Sequence, residues 1–235
     1  MVGVSTSDVK SERRERIMKK PLNFILIGPP GCGKGTQAKL LADKFSLKYV
    51  GSGDILRGHI KINDFTGKKI ANIINGGGLV PSFVIIKVFG EEIEKNKKQK
   101  VKGFVFDGWT RIIYEAILID EALNWYELKN TKIILIKISA KESFDRLTKR
   151  RQCKNCKKLI PWIGKYKELK KCDACEGRLI TRIDDNIKSI KKRLEEYKNQ
   201  TSKSINYYKQ QKRLIEINGE QPIEKVFKDI LAKIK

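Results

Sequence analysis

Short apolar runs alternate along this chain with longer stretches whose apolar residues recur every three or four positions. Leu22–Ile27 (LNFILI) is a compact apolar run that ends at Gly28 and reads as a strand buried in a parallel sheet. Phe104–Phe106, leading into Asp107, predicts a second core strand. Lys132–Ile138 predicts a third, and Leu214–Ile217, ended by Asn218-Gly219, a fourth. Helical spacing occupies Thr36–Phe45 and the stretches 82–96, 113–127, 141–151, 185–211 and 222–234. Strands that alternate with helices predict an α/β fold built on a parallel sheet flanked by helices.

Two stretches break the rhythm. Residues 51–80 hold two short helical patterns and the run Gly76-Gly77-Gly78. Residues 152–183 hold four cysteines and little core periodicity. Both read as small excursions from one sheet domain. The predicted organisation is therefore an N-terminal tail at 1–20, a core assembled from 21–50, 81–151 and 184–235, and insertions at 51–80 and 152–183.

Composition narrows the class. The 235 residues suffice for one such domain with insertions, and 40% apolar content excludes wholesale disorder. Fifty-one basic against 27 acidic residues leave a formal charge of +24. The lysines are scattered and aromatic residues do not interleave with them in any repeated way, so a solvated basic surface accounts for them better than a nucleic-acid face. The absence of an 18-residue apolar run predicts no transmembrane helix. The first residues, MVGVSTSDVKSERRERIMKK, lack the apolar segment of a secretory signal, and Val2 breaks the myristoylation pattern. Asp8, Glu12 and Glu15 weigh against a mitochondrial presequence, so a cytoplasmic location is expected, with a mitochondrial one as the alternative.

The strand at Leu22–Ile27 runs into Gly28-Pro-Pro-Gly31-Cys32-Gly33-Lys34-Gly35-Thr36, which opens a helix. Glycines let the backbone fold back and aim N–H groups at phosphate oxygens, and the helix N-terminus adds a dipole that favours anions. Lys34 can reach the outer phosphates as a point charge, and the Thr36 hydroxyl can help hold the metal-bound phosphate end. Gly35 stands where Ser or Thr usually follows the lysine. Cys32 reads as a small residue that fits the loop; the alternative is a thiol activated by the helix end.

Cys153, Cys156, Cys172 and Cys175 have the 2-15-2 spacing of two facing CxxC turns, a zinc signature rather than a disulfide framework. With all four positions filled by protein, the metal would be structural. It would replace a core that some 30 residues cannot build.

Gly28–Gln37 (GPPGCGKGTQ) resembles the nucleoside monophosphate kinases, adenylate kinases most of all. Further matches follow in order: Ser52–Arg57 (SGDILR), Gly78-Leu79-Val80, Asp107-Gly108, Arg146 with Arg150-Arg151, the cysteine quartet, Arg182 with Asp184-Asp185, Lys192-Arg193-Leu194, and Asn218–Gln221. The resemblance spans nine tenths of the chain. It implies a P-loop kinase with a nucleoside-monophosphate-binding insertion at 51–80 and a zinc-containing LID at 152–183. The implied reaction is reversible Mg²⁺-dependent phosphoryl transfer from ATP to AMP by a monomer. It also implies roles. Gly28, Gly31, Cys32, Gly33, Lys34, Gly35, Thr36, Arg146 and Arg150 would bind ATP. Ser52, Arg57, Val80, Gly108, Arg111 and Glu115 would bind AMP. Lys34, Arg111, Arg146, Arg150, Arg182 and Arg193 would surround the transferring phosphates, and Asp107 would hold Mg²⁺ through water. No catalytic base is needed, because the acceptor phosphate is already an anionic nucleophile and positioning with charge stabilisation suffices.

Three departures from the family pattern bear on specificity. The family's Asp-Gly-Phe-Pro-Arg is Asp107-Gly108-Trp109-Thr110-Arg111 here, so a proline whose peptide is typically cis is missing. Glu115 replaces a glutamine that reads adenine. A carboxylate only accepts, which suits the paired donors of guanine; the alternative is that Glu115 faces solvent. The LID carries Lys158–Ile163 (KLIPWI) in place of the subgroup's aromatic-His and Asn-Pro-Pro stretch. GTP as donor or GMP as acceptor therefore stands as an alternative. From another class comes a zinc-ribbon nucleic-acid-binding protein with an impaired kinase site. His59, the single histidine, reads as a surface residue.

Overall fold

The structure, a computed structural model, describes residues 22–234, so the predicted tail at 1–20 lies outside the described residues. In chain order the elements are β1 (Asn23–Ile27), α1 (Lys34–Phe45), β2 (Lys48–Gly51), α2 (Ser52–Ile60), α3 (Phe65–Asn75), α4 (Ser82–Lys97), β3 (Phe104–Asp107) and α5 (Ile113–Trp125). They continue with β4 (Thr131–Lys137), α6 (Ala140–Lys149), β5 (Arg151–Cys153), β6 (Leu159–Ile160), β7 (Leu179–Ile180), α7 (Ile187–Glu196), α8 (Ser202–Gln210), β8 (Leu214–Asn218) and α9 (Ile223–Lys233).

β2, β3, β1, β4 and β8 form one sheet in that order, every pair parallel. The alternation of side chains along each strand sorts the core into two layers. Ile25, Ile27, Phe104, Phe106, Ile133 and Leu135 face the side covered by α4, α5 and α8, where Phe89, Trp109, Ile119 and Tyr208 close the layer. Phe24, Leu26, Val105, Ile134 and Ile136 face α1 and α9 and meet Leu41, Val226 and Ile230. Fully burying each such side chain contributes about 1.5–3 kcal/mol. Asn23 is the polar exception in β1, and its Oδ1 accepts from the Phe104 N–H at 2.9 Å, which pegs the β1–β3 register.

The four predicted strands and the α/β class hold, and three details differ. β2 was not predicted: Lys48-Tyr49-Val50-Gly51 lacks an apolar run because it is an edge strand with one exposed end. The helix expected over 141–151 stops at Lys149. Arg150 is extended, and Arg151 is drawn into β5 by pairing with Ile160. The helix expected over 185–211 is interrupted by a single π-helical turn, Tyr197–Thr201, between α7 and α8.

The cysteine-bearing stretch forms its own antiparallel sheet, β6-β5-β7. The 51–80 stretch folds as α2 and α3. Its exit docks on α7, where the Ser189 hydroxyl donates to the Asn75 carbonyl at 2.7 Å. Gly77 sits there at φ 74°, where a Cβ would lie 2.6 Å from the Ser189 carbonyl oxygen, so the contact requires glycine. No helix among the described residues is long and apolar enough to cross a membrane.

Candidate active site

β1 delivers the glycine loop at the C-terminal edge of the sheet, between β3 on one side and β4 on the other. That crevice is where open α/β sheets bind ligands. Gly28, Gly31 and Gly33 all take positive φ, at 152°, 82° and 94°, which turns the chain sharply ahead of α1. Lys34 opens α1, and its Nζ folds back over the loop to donate to the carbonyls of Gly28 at 2.8 Å and Pro29 at 3.0 Å. Gly35 and Thr36 complete the first turn of α1. Gly35 gives room to a neighbour: a Cβ there would stand 3.0 Å from Asp107 Oδ2. Cys32 is 3% exposed, and burial pushes its thiol up despite Lys34 nearby, so it fills space and is not an activated nucleophile.

Asp107 ends β3 beside this loop. Burial raises its carboxyl, while the Lys34 and Arg111 charges and a hydrogen bond donated by Tyr49 at 3.2 Å work the other way. The next residue, Gly108, accepts from Ser52 Oγ at 2.8 Å and from Arg111 Nε at 2.9 Å, and Arg111 also reaches Ser52 Oγ at 3.4 Å. Arg57, one turn along α2, pairs with Asp54 at 2.7 Å. Val80 is buried at the end of the same insertion. Trp109 is buried with its Nε1 donating to the Val50 carbonyl at 2.8 Å. Among the described residues no peptide is cis, so Trp109-Thr110 follows a trans path. Thr110 is 2% exposed and its Oγ1 has no hydrogen-bond partner.

The remaining arginines come from the far side of the crevice. Arg146 on α6 donates from Nε to Glu142 at 2.6 Å and from Nη2 to the Gly219 carbonyl at 2.9 Å. Arg150 grips Asp185 at two points, 2.8 and 2.6 Å, and Arg193 from α7 joins the same carboxylate at 3.0 Å. Arg182 pairs with Asp184 through Nε and Nη2. These side chains feel one another: Arg111 lies within the fields of Arg57 and Arg182, and Arg193 within those of Arg150 and Arg182. Burial, reinforced by that repulsion, pulls the Arg193 guanidinium down to about 10. Six cations from six segments, Lys34, Arg57, Arg111, Arg150, Arg182 and Arg193, are thus linked through one another's fields and that of Asp107, which suits a ligand carrying several anionic charges.

At the tip of the small sheet the sulfurs of Cys153, Cys156, Cys172 and Cys175 lie within 4.8 Å of one another, and none is in a disulfide. Two facing pairs stand 3.5 and 3.6 Å apart. A tetrahedral ion bound at about 2.3 Å by four thiolates spaces its sulfurs comparably, so the cluster fits a metal ion.

A family model described as adenylate kinase matches residues 26–213. Curated relatives agree along nearly the whole chain. Adenylate kinase of Archaeoglobus fulgidus is 36% identical over 218 residues, covering 91% of this chain and 100% of that protein. Adenylate kinase of Clostridium botulinum strain 657 is 37% identical over 210 residues, 89% of this chain and 96% of the relative. Adenylate kinase of Methanocella arvoryzae is 36% identical over 217 residues, 91% and 99% of the two chains. The chain belongs to the adenylate kinase family. It is a nucleoside monophosphate kinase, a phosphotransferase.

Within this adenylate kinase fold the structure separates the two readings of Glu115. The residue is 2% exposed, so it does not face solvent. Its Oε2 accepts the N–H groups of Arg111 at 2.7 Å and Ile112 at 3.1 Å, closing the N-terminus of α5. Burial raises its carboxyl against those two bonds. His59 lies in partly exposed surface, 3.3 Å from Asp64, remote in role from the phosphate-facing cations.

Sequence reasoning assigned the cations and missed the acids that hold them. Asp184 and Asp185 belong to the sequence motif at Arg182, which assigns them no role. Glu142 could have been read from its i, i+4 spacing to Arg146 on one helix face. Tyr49 could not be anticipated, because only the β2–β3 pairing brings it to Asp107.

Proposed function

We propose that the enzyme transfers the γ-phosphoryl group of ATP to AMP, reversibly and with Mg²⁺, giving two ADP. The observation that carries this reading is that Lys34 and Arg111 lie in the field of Asp107 beside the glycine loop, Arg57 and Arg182 in that of Arg111, and Arg150 and Arg182 in that of Arg193. Phosphoryl transfer needs two anions brought in line and their charge spread, and cations on separate elements do that. Lys34 and the loop N–H groups would cradle the donor phosphates with Arg146, Arg150, Arg182 and Arg193. Ser52, Arg57, Val80, Gly108 and Arg111 would hold the acceptor, with Glu115 fixing the backbone that presents Arg111. Asp107 and Thr36 would help hold Mg²⁺, which would neutralise charge on the donor phosphates.

Residues 51–80 serve as the acceptor arm and 152–183 as the LID. The LID would fold around Zn²⁺ held by its four thiolates and close over ATP to exclude water. A cytoplasmic monomer is the form that the family resemblance implies. The cysteines fall inside the stretch matched to the kinase family, which favours a kinase LID over a zinc-ribbon nucleic-acid protein. The test is ADP formation from ATP and Mg²⁺ with AMP, GMP and UMP in parallel. Turnover with AMP is expected. Turnover with GMP in its place would move the reading to a guanylate acceptor. Silence with all three, from folded protein, would overturn it.

A further inference from the structure

Arg146, Arg150 and Arg151 sit within six residues, yet Arg151 faces away from the acids that hold the other two. Arg150 is extended and Arg151 begins β5, so successive side chains leave on opposite sides. Arg151 Nη1 donates to the Leu169 carbonyl at 2.6 Å, and Nη2 to the carbonyls of Tyr166 at 3.0 Å and Lys167 at 3.1 Å. Its guanidinium also stands 5.4 Å from the ring centre of Trp162. These carbonyls belong to the 3₁₀ turn Gly164–Lys167 and the residues just after it. A four-residue turn in a segment with little core leaves carbonyls unpaired at its end, and one planar fork engages two of them and that of Leu169 just beyond.

That turn has a position worth holding. Ile163, Gly164 and Tyr166 form one wall of a cavity of about 470 Å³ whose other walls include Arg146, Gln221 and Pro222. The cavity borders Arg146, one of the proposed donor-phosphate ligands, and is open enough for a flat ring. Resting on the reading of ATP as donor, we infer that Arg151 is a positioning residue. It binds no phosphate itself and fixes the LID turn as the wall against which the donor's base packs. Preorganising that wall lowers the ordering cost of binding the base and leaves the phosphate contacts alone.

The test pairs kinetics with calorimetric binding of ATP and of inorganic tripolyphosphate, which lacks a base. Arg151→Met is expected to raise KM for ATP about ten-fold and leave kcat and KM for AMP within about two-fold. Its affinity for ATP should fall while its affinity for tripolyphosphate does not, and its metal content should equal that of the wild type. Arg151→Lys, which keeps the charge and stem but not the fork, should show the same selective loss to a smaller degree. It decides the matter if the methionine variant fails to fold. Unchanged ATP affinity in the lysine variant, or parallel loss of both ligands together with the metal, would overturn the inference. Wild-type protein that binds ATP no better than tripolyphosphate would instead overturn the donor-base reading.

Discussion

Arg150 and Asp185 are 35 residues apart and meet in a two-point ion pair at 2.8 and 2.6 Å. The carboxylate side chain is 0% exposed, and the Arg193 guanidinium shares it. One acid thereby balances two cations contributed by opposite ends of the cysteine-bearing segment.

Asp185→Asn keeps the shape and removes that balance. Breaking a buried pair from one side costs about 3–5 kcal/mol, and the partial exposure of both guanidinium groups points to the lower end. The expected result is a clear fall in the denaturant midpoint without nucleotide. Added ATP should stabilise the variant more than the wild type, because phosphate oxygens then supply the missing charge. Thermal melts with and without ATP check this, and equal shifts for both proteins would contradict it.

Glu115→Gln addresses a buried carboxyl whose ionisation burial opposes. Because its folded pKa is raised, the wild-type residue contributes most stability below the unfolded value of about 4.3, and that contribution is lost as pH rises through the folded value. A glutamine oxygen can still accept the two N–H bonds that close α5. The variant should therefore match the wild type near pH 4 and gain on it toward neutrality, read as a pH series of unfolding midpoints. The same variant assayed with AMP and GMP tests whether the carboxylate also sets acceptor choice; an unchanged ratio would limit it to the backbone.

Thr110 places a hydroxyl without a partner in a buried position beside Trp109. Leaving such a group unpaired costs about 1–3 kcal/mol, and Thr110→Val removes it with little change of volume. The valine variant should be more stable by about 1 kcal/mol in urea titration. A loss of stability would mean that the hydroxyl has a partner in solution.

Cys172→Ser removes one ligand from the four-sulfur cluster and leaves the five-stranded sheet untouched. Zinc content per chain should fall sharply, and the cysteine-bearing segment should become the first site of proteolytic cleavage, since the proposed metal would replace a core there. KM for ATP should rise while the far-ultraviolet circular dichroism of the main domain persists. Unaltered zinc content would show that the cluster is not the metal site.

Much of this protein was legible before its tertiary structure. The strands at Leu22–Ile27, Phe104–Phe106 and Lys132–Ile138 are legible because a strand buried on both faces needs an apolar run, and Leu214–Ile217, at the sheet edge, is legible from its apolar residues and the Asn218-Gly219 that ends it. The glycine loop and the CxxC pairs were equally plain, because local backbone geometry and ligand spacing are properties of adjacent residues. What the fold alone decided was long-range pairing. It made Lys48–Gly51 an edge strand, brought Tyr49 to Asp107, turned Glu115 inward onto α5, and seated Asp185 between Arg150 and Arg193. Periodicity reports which face of an element is buried. Which charge lies opposite which depends on strand order and on the docking of α7, and no pattern within a single segment records either.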